Sequence, residues 1–389
     1  MNTPSIYIDY TTGIGKSSNS FHGGYSFTIW LTKELIKLKS EINILLRENQ
    51  LDFIRTEFND KVNYIPVEQV QKFIFPKNSI LIFPLIQNYK LYLIKRIKNN
   101  NRSTKIYTVI HGLRNIDLIR YDKYDRYYLK GIFYLIPFLF WLYKLFKYII
   151  EYYSVKFFLH KSDFVLTVSN STLQKIISIN KKINKITLFH QFTNTINNYK
   201  TVESLDKKYI LFLSSNRLEK NFARTLLAFI NFKIENPEDN TYLYVTGYEK
   251  YIIDRLIKNL NTTEKQIFYK YVSFFEYVDS NQLSNLYSNA HFLLYTSKSE
   301  GYGIPVLESC LFGRPVVASY LTSIPEVMGS LTYYVNPYNI ESIKNGISYM
   351  NNQVINSFRE KHIKEYIEIA KLRNKLECEL IIKELFTSL

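Results

Sequence analysis

Two glutamates that follow a strand-like run are the most distinctive chemical feature of this sequence. Glu300 and Glu308 are separated by seven residues in the stretch KSEGYGIPVLESCLFGRPVVAS. Gly301 and Gly303 allow a ligand to approach the backbone closely, and the helical pattern that begins near Pro305 offers N–H groups to a diphosphate. A carboxylate one turn into that helix can accept hydrogen bonds from ribose hydroxyls, and one on the preceding loop can reach a sugar. The two carboxylates are therefore predicted to bracket one ligand.

A pair of cations in the same half of the chain could neutralise that ligand. Arg217 and Lys220 stand in NRLEKN, directly after the strand-like run YILFLSS. An arginine can bind two phosphate oxygens at once, and a lysine adds a mobile positive charge. Such pairs also occur on solvated surfaces, but the position after a strand of the same half as the glutamates favours a leaving diphosphate.

The glycine-bearing loop near the amino terminus does not fit a nucleoside triphosphate site. Its GIGKS stretch would need a glycine where Tyr10 stands to form a P-loop. A dinucleotide fingerprint would need a third glycine where Ser18 stands. The pattern predicts a loop after the first strand, closed by Gly23 and Gly24, that can contact phosphates without the triphosphatase function.

The elements that must position these residues alternate between strand and helix. Strand-like runs are SIYIDY, INILLR, SILIFPL, KIYTVIHG, FVLTVS and KITLF, then YILFLSS, TYLYVTG, IFYKYV, HFLLYTS, PVVAS and LTYYVN. This order predicts an α/β protein with two parallel sheets and ligands at the carboxyl ends of the strands. The polar stretch QFTNTINNYKTVESLDKK is the predicted linker between a first domain at 1–195 and a second at 206–371.

Composition limits the possible partners without choosing among them. The chain has 389 residues with 50 Lys and Arg against 34 Asp and Glu, a balance of +16. That charge suits nucleic acid, anionic lipid or phosphorylated substrates, but no nucleic-acid-binding motif is present. Cys310 and Cys378 have no metal or disulfide spacing, which favours a reducing compartment. The first residues lack the pattern of a secretion signal, so we expect a cytoplasmic protein.

A long apolar segment in the first half raises the question of a membrane. Residues 131–150 read GIFYLIPFLFWLYKLFKYII, about the length of a membrane span but interrupted by Pro137, Lys144 and Lys147. The aromatic and aliphatic density suits a helix that lies in a membrane interface, with Lys130, Lys144, Lys147 and Lys156 available to anionic head groups. The alternative is a long helix buried on the first sheet.

The glutamate motif resembles the signature of the retaining family-4 glycosyltransferases of the GT-B fold. Supporting matches are SSNRLEKN, VIHGLRNID, HGGYSFTIWLTKEL and VLTVSNSTLQKI, so the resemblance extends over nearly the whole chain. It implies two Rossmann-like parallel-sheet domains that face each other across a cleft, with a carboxyl-terminal helix at about 372–389 on the first. A Pro-Asn-Gly run common in the family is replaced here by FTNTINN.

The resemblance also implies roles for individual residues. Glu308 would bind the ribose and Glu300 the transferred sugar, while Arg217 and Lys220 hold the diphosphate. Backbone N–H groups around Gly301, Tyr302 and Gly303 would assist them. In the first domain, His111 would stand near the sugar and the acceptor, and Gly23 and Gly24 near the donor phosphates. Without the resemblance, His111 reads as an ordinary hydrogen-bonded loop histidine.

The resemblance implies transfer of a sugar from a nucleoside diphosphate sugar to a hydroxyl group with retention of configuration. The acceptor is expected to be a glycan or lipid-linked glycan of bacterial surface polysaccharide assembly, at the inner face of the plasma membrane. No Asp-x-Asp cluster follows a strand, so we expect no obligatory metal and no other cofactor. The alternatives are a nucleotide-sugar epimerase, a phosphorolytic enzyme, and a non-catalytic nucleotide-sugar-binding module.

Overall fold

The structure of this chain is a computed structural model. It describes residues 5–11, 23–37, 41–67, 73–85, 94–95, 97–99, 103–120, 122–180, 186–189, 207–276, 278–352 and 357–387. The GIGKS stretch and nearly all of the predicted linker lie outside the described residues.

Two parallel sheets form the framework of the protein. The first is ordered β3-β2-β1-β4-β5-β6-β7 and the second β10-β9-β8-β11-β12-β13. Strands of the first sheet are β1 (Ile6–Asp9), β2 (Ile42–Leu46), β3 (Asn63–Pro66), β4 (Ile80–Phe83), β5 (Lys105–Ile110), β6 (Phe164–Thr167) and β7 (Ile186–Leu188). Strands of the second are β8 (Tyr209–Phe212), β9 (Tyr242–Thr246), β10 (Val272–Phe275), β11 (Phe292–Tyr295), β12 (Val316–Ser319) and β13 (Thr332–Val335). The predicted α/β class with two parallel sheets is confirmed.

Helices connect the strands, as parallel pairing requires. In chain order, the described helices are α1 (Gly23–Ile36), α2 (Leu51–Phe58), α3 (Arg114–Asp117), α4 (Ile132–Leu135), α5 (Pro137–Lys161), α6 (Asn170–Ile179), α7 (Phe222–Glu235), α8 (Lys250–Lys258), α9 (Thr262–Tyr271), α10 (Ser280–Asn289), α11 (Ile304–Leu311), α12 (Ile324–Met328), α13 (Ile340–Asn351) and α14 (Ser357–Thr387). Short 3₁₀ turns lie at Glu48–Gln50, Asn59–Lys61, Lys123–Tyr128, Leu218–Lys220 and Gly329–Leu331.

The central strands are buried because helices cover both faces of a parallel sheet. Every residue of β1, β4, β8 and β11 is buried, which explains why these strands read as apolar runs rather than alternating ones, apart from Asp9 at the end of β1. In the second sheet, the core also includes Phe222, Phe229 and Leu226 from α7, which packs on α13. The carboxyl ends of β8 and β11 are adjacent, because the two strands pair directly.

One predicted strand is wrong. The run IFYKYV at 267–272 is mostly the end of α9, and β10 begins only at its last residue, Val272. Asn261 and Glu264 form a capping box at the start of this helix, with reciprocal bonds of 3.0 and 2.8 Å between side chains and backbone. That start signal commits the following residues to a helix despite their aromatic and β-branched side chains. The short edge strand β3 was not anticipated.

The chain packs as two units. The first comprises 1–113, 148–191 and 372–389, and the second comprises 114–147 and 192–371. The predicted first domain, 1–195, included the segment 114–147, which here packs with the second unit. The predicted domain boundaries otherwise stay a prediction.

The long apolar segment folds as α4 and α5. Among the described residues, no helix has the length and apolar character needed to cross a membrane. One face of α5 is buried, with Phe140 and Lys144 at 9% and 8% exposure, whereas Phe138 and Phe146 are 62% and 59% exposed. The prediction that Lys144 reaches lipid head groups is wrong, because its Nζ is bonded to the carboxylate of buried Asp125 at 2.8 Å.

Candidate functional site

The loop after β8 presents the predicted phosphate-binding cations. Arg217 precedes the 3₁₀ turn that carries Lys220, and Asn221 then adopts a left-handed conformation with φ of 68°. The Asn221 amide holds this turn in place by donating to the carbonyl oxygens of Thr296 and Pro337 at 3.3 and 2.6 Å. Asparagine is among the few residues that accept this backbone conformation readily. The local sequence NRLEKN therefore suits a sharp turn at the carboxyl end of a strand.

Lys220 and Glu300 are brought together across two loops. The Lys220 Nζ donates to Glu300 Oε1 at 2.7 Å and to the Tyr295 hydroxyl at 2.7 Å. It also lies 4.4 Å from the centre of the Tyr295 ring. Burial lowers the pKa of Lys220, although the Glu300 carboxylate opposes that shift. A lysine held this way is a positive charge in a site of low polarity, where it acts strongly on an anionic ligand.

Glu219, which the sequence analysis left without a role, organises the arginine of this site. Its Oε1 accepts from Arg217 Nε at 2.8 Å and from Arg114 Nη1 at 2.9 Å, and the Glu219 side chain is only 6% exposed. Burial alone would raise the pKa of Glu219, but the charges of Arg217 and Arg114 lower it to about 2. The sequence offered one signal for this role: Glu219 lies between the cations Arg217 and Lys220 in a loop after a strand.

Glu308 lies on α11, where a second tyrosine orients it. The Tyr287 hydroxyl donates to Glu308 Oε2 at 2.8 Å, and the Tyr287 ring stacks on Phe312 with centres 5.4 Å apart. Burial raises the pKa of Glu308, while the Tyr287 hydrogen bond and the charge of Lys220 act in the opposite direction. One carboxylate oxygen is therefore fixed by the protein, and the group is positioned for a hydroxyl-bearing ligand.

The loop from Glu300 to Gly303 is shaped by its backbone. Gly303 begins α11 with φ of 105°, a conformation that strains any residue with a side chain, and an added Cβ would lie 3.3 Å from Val306. Ser323 donates from Oγ to the carbonyl of Tyr302 at 2.8 Å, and Thr322 accepts from the Glu300 N–H at 3.1 Å. The motif glycine is thus required by the conformation of the turn. Gly301 lies in the same loop and is half-buried.

The other predicted site residues lie in the first unit. His111 follows β5, and its Nε2 donates to the Pro84 carbonyl at 2.7 Å while its ring meets Phe27 edge to face at 4.9 Å. Burial lowers the pKa of His111 to about 4, so the imidazole is neutral at pH 7. Gly23 and Gly24 begin α1. A Cβ at Gly24 would lie 2.2 Å from a Leu85 methyl group, so a larger residue there would require the Leu85 side chain to move. The predicted roles of these three residues stay predictions.

The segment 114–147 is bonded to the loops that carry the candidate site, and this set of contacts is called the clamp. Lys298, two residues before Glu300, donates to Asp125 Oδ1 at 2.6 Å, and Ser299 donates to Asp117 at 2.7 Å. Arg224 of α7 is bonded to Asp122. The sequence analysis missed these contacts, because nothing in the spacing of the acids 117–125 indicates which distant residues they meet.

Comparison with known proteins places the candidate site within a recognised family region. Residues 195–373 match the family model described as "Glycosyl transferases group 1". The match includes Arg217, Lys220, Glu300 and Glu308, and it spans a little under half of the chain. The second half of the chain is therefore similar to the glycosyl transferases group 1 family.

Two O-antigen mannosyltransferases are similar to parts of the sequence. The chain is 28% identical over 216 residues to the O-antigen chain mannosyltransferase RfbU of Salmonella typhimurium, an alignment that covers 52% of this chain and 58% of the relative. It is 30% identical over 135 residues to O-antigen chain mannosyltransferase B of Escherichia coli, covering 35% of this chain and 34% of the relative. The chain thus spans less than two thirds of these relatives.

A solved structure matches the whole chain. The Anabaena protein Alr3699/HepE in complex with UDP and glucose is 13% identical, with a TM-score of 0.70 over 99% of this chain and 100% of that one. At this identity the likeness concerns the fold alone. It confirms the predicted GT-B class, in which two parallel α/β sheets form the framework.

Proposed function

We propose that this protein is a retaining glycosyltransferase that moves a sugar from a nucleoside diphosphate sugar to a hydroxyl group of an acceptor. The observation that carries the proposal is the cluster of Arg217, Lys220, Glu300 and Glu308 at the carboxyl ends of β8 and β11. Two cations and two carboxylates in one place suit a ligand with both phosphates and hydroxyls. The family match over 195–373 supports the same conclusion.

Each member of the cluster has a separate task in this proposal. Arg217, whose side chain is 47% exposed, is accessible to phosphate oxygens while Glu219 holds its guanidinium in place. Lys220 lies deeper and stabilises the charge that develops on the leaving diphosphate. Glu308 accepts hydrogen bonds from the ribose through the oxygen that Tyr287 does not hold. Glu300, fixed by Lys220, accepts from a hydroxyl of the transferred sugar.

Retention of configuration is proposed to arise by departure and attack on the same face of the sugar. The bond between the anomeric carbon and the diphosphate oxygen breaks, and a bond from that carbon to the acceptor oxygen forms. The acceptor proton passes to the leaving phosphate. The contact between Glu300 and Lys220 supports this scheme over a double displacement, because the ammonium group lowers the nucleophilicity of the nearby carboxylate.

The donor and acceptor classes rest on the relatives. Both O-antigen mannosyltransferases suggest a mannosyl or related hexosyl donor and a glycan or lipid-linked glycan acceptor of bacterial surface polysaccharide assembly. We propose further that transfer needs no divalent metal and no other cofactor, since Arg217 and Lys220 supply positive charge for the diphosphate. Activity that survives treatment with EDTA would support this, and restoration only by added Mg²⁺ would contradict it.

Attachment to the inner face of the plasma membrane is proposed from the exposed face of α4 and α5. Leu135, Phe138 and Phe146 are 76%, 62% and 59% exposed, and Lys130 and Lys156 are exposed cations near this face. Apolar side chains flanked by lysines suit the boundary between head groups and acyl chains of an anionic membrane.

The direct test is incubation with UDP-, GDP- and dTDP-linked sugars, followed by detection of the released nucleotide and of the anomeric configuration of any product. Transfer or slow hydrolysis with retention supports the proposal, whereas an inverted product rejects the retaining mechanism. Interconversion of the donor would indicate an epimerase, phosphate-dependent cleavage would indicate a phosphorolytic enzyme, and binding without turnover would indicate a binding module.

Arg217→Ala should lose transfer with its fold intact, because more than a third of that side chain is exposed. Lys250→Ala, which removes an exposed cation from α8, is the control.

A further inference from the structure

A cavity lies beside the buried face of α5, within the second unit. Its volume is about 250 Å³, and Glu219 forms part of its wall. This volume is well above the ~10–15 Å³ that a single water molecule needs on the same measure. A phosphate or diphosphate group fits such a space, whereas a whole lipid-linked glycan does not. The cavity combines cations and apolar side chains: Arg114 and Lys147, with Leu118, Phe140 and Leu218.

The cavity has an excess of positive charge. Among the described residues, Lys147 makes no ion pair, and its Nζ lies 5.4 Å from the centre of the Tyr143 ring. The single carboxylate of the wall, Glu219, is already matched by both Arg114 and Arg217. The remaining cation of the wall, Lys144, is satisfied by Asp125. An anionic ligand would therefore meet Arg114 and Lys147 without displacing an existing pair of Lys147.

We propose that this cavity binds the phosphate of a lipid-linked acceptor, with the first carbons of the lipid against Leu118, Phe140 and Leu218. The inference rests on the proposed function and adds an acceptor subsite to it. Phosphate bound to a guanidinium and an ammonium group is held by charge-assisted hydrogen bonds, and the apolar wall distinguishes an alkyl phosphate from inorganic phosphate.

The two faces of α5 fit an acceptor that is anchored in a membrane. Phe140, Lys144 and Lys147 follow the spacing of one helical face and line the cavity, whereas Phe138, Leu142 and Ile149 lie on the opposite face and are exposed. With that opposite face in the head-group region, the cavity lies above the membrane surface by about one helix diameter, ~10 Å. A lipid phosphate can reach it while most of the lipid chain stays in the bilayer.

Glu219 connects the cavity to the predicted donor-phosphate arginine. The same carboxylate oxygen accepts from Arg114, which lines the cavity, and from Arg217. A phosphate that draws Arg114 toward itself would leave Glu219 paired with Arg217 alone, because the acceptor subsite and the donor-site arginine share this one carboxylate.

Calorimetric titration of the full chain with hexyl phosphate tests the subsite, with hexanol and inorganic phosphate as reference ligands. Hexyl phosphate should bind more tightly than either reference ligand. Lys147→Gln should weaken its binding about tenfold, as expected for loss of a charged hydrogen bond. Leu118→Trp, which fills the cavity without changing charge, should weaken it at least as much. Lys156→Gln, the same change at an exposed position of α5, should leave it unchanged.

Each outcome bears on the cavity separately from the proposed function. Equal binding of hexyl phosphate to the wild type, Lys147→Gln and Leu118→Trp proteins would overturn the subsite. Inorganic phosphate bound as tightly as hexyl phosphate would overturn the lipid-linked assignment. UDP and GDP binding, measured in the same proteins, reports on the donor site. If the wild type binds nucleotides but not hexyl phosphate, only the subsite is rejected. If the wild type binds neither UDP nor GDP, the proposed function is rejected.

Discussion

Arg217 and Lys220 differ in how far water reaches them, and that difference separates their tasks. The Arg217 side chain is 47% exposed, whereas that of Lys220 is 5% exposed and bonded to Glu300 and Tyr295. An exposed guanidinium can meet an incoming phosphate early, while a buried ammonium gives a stronger field at a fixed point. Arginine is therefore suited to binding, and lysine to stabilisation of the leaving group.

Substitutions of the two glutamates should change different kinetic constants. Glu308→Ala removes a ribose contact that is equal in ground and transition states, so the donor Kd should rise about tenfold or more. Glu300→Gln keeps a hydrogen-bond acceptor for Lys220 but loses a charge near the transferred sugar. It should lower kcat by about 10-fold to 100-fold with little change in donor KM. Unchanged donor affinity in a folded Glu308→Ala protein would remove its proposed role.

His111 should make the free energy of unfolding depend measurably on pH. Its pKa is lowered by burial from the ordinary 6.5 to about 4, so the unfolded chain binds the proton more readily between these values. Stability from this group is complete above about pH 6.5 and is lost as pH falls toward 4. Between pH 7.5 and 5 the loss should be roughly 2 kcal/mol. Urea unfolding of wild type and His111→Gln at both values measures it, and an identical loss in both would contradict the shift.

The sequence predicted the chemistry of individual residues better than their partners. Glu300 and Lys220 were expected near one ligand, and the structure joins them directly at 2.7 Å. Glu219 received no role, because a buried carboxylate cannot be told from an exposed one by its neighbours in the chain. Its second partner, Arg114, lies more than a hundred residues away, and such a contact depends on the packing of the whole unit.

At the scale of elements, a helix N-cap explains the one strand that was predicted wrongly from the sequence. The alternation of apolar runs located twelve strand-like segments, and the one that failed lies behind the capping box of Asn261 and Glu264. β-branched and aromatic residues favour strands only weakly, since their preference reflects packing more than the backbone. The edge strand β3 escaped because two of its four residues are exposed and its apolar content is low.

The clamp between 114–147 and the loops of the candidate site should be essential for stability. Asp125 is fully buried and accepts from both Lys144 and Lys298 at 2.8 and 2.6 Å. Asp125→Asn removes the nearest carboxylate from these two buried ammonium groups, a loss that costs about 3–5 kcal/mol in comparable cases. Asp254→Asn breaks the exposed pair with Lys250 and should cost less than about 1 kcal/mol. Equal midpoints of urea unfolding for the two variants would show that the clamp contributes nothing special.

At the scale of the whole molecule, chain order and packing do not coincide. The segment 114–147 lies between strands of the first sheet in sequence, yet it packs with the second unit. Sequence analysis assigns a segment to the elements that flank it, because local patterns contain no information on distant contacts. Composition was informative for the class of the protein and for its charge of +16, but not for where that charge is concentrated.

The net charge and the exposed face of α4 and α5 together predict salt-sensitive membrane binding. The wild type should sediment with anionic vesicles at low salt and remain largely in the supernatant with neutral ones. Raising the salt to 1 M shortens the Debye length to about 3 Å and should release the electrostatic part of the binding. A contact face chosen from the apolar pattern alone would include Phe138, Phe140, Trp141 and Leu145. Phe140 is only 9% exposed and contacts Phe133, so its replacement would disturb packing instead.

The exposures of individual side chains sharpen the test of this face. Serine at Phe138, Trp141, Leu142 and Phe146, which are 62%, 39%, 41% and 59% exposed, removes apolar contact area without opening the core. Vesicle binding should fall at least tenfold, since each of these side chains can bury more than a CH₂ group's worth of about 0.8 kcal/mol. The matched control places serine at Ile177, Ile234, Tyr269 and Leu376, which are 46%, 47%, 69% and 52% exposed on other helices. Equal losses in the two variants would mean that binding follows general surface apolarity rather than α4 and α5. A wild type that stays in the supernatant with anionic vesicles at low salt would show that this face serves no membrane.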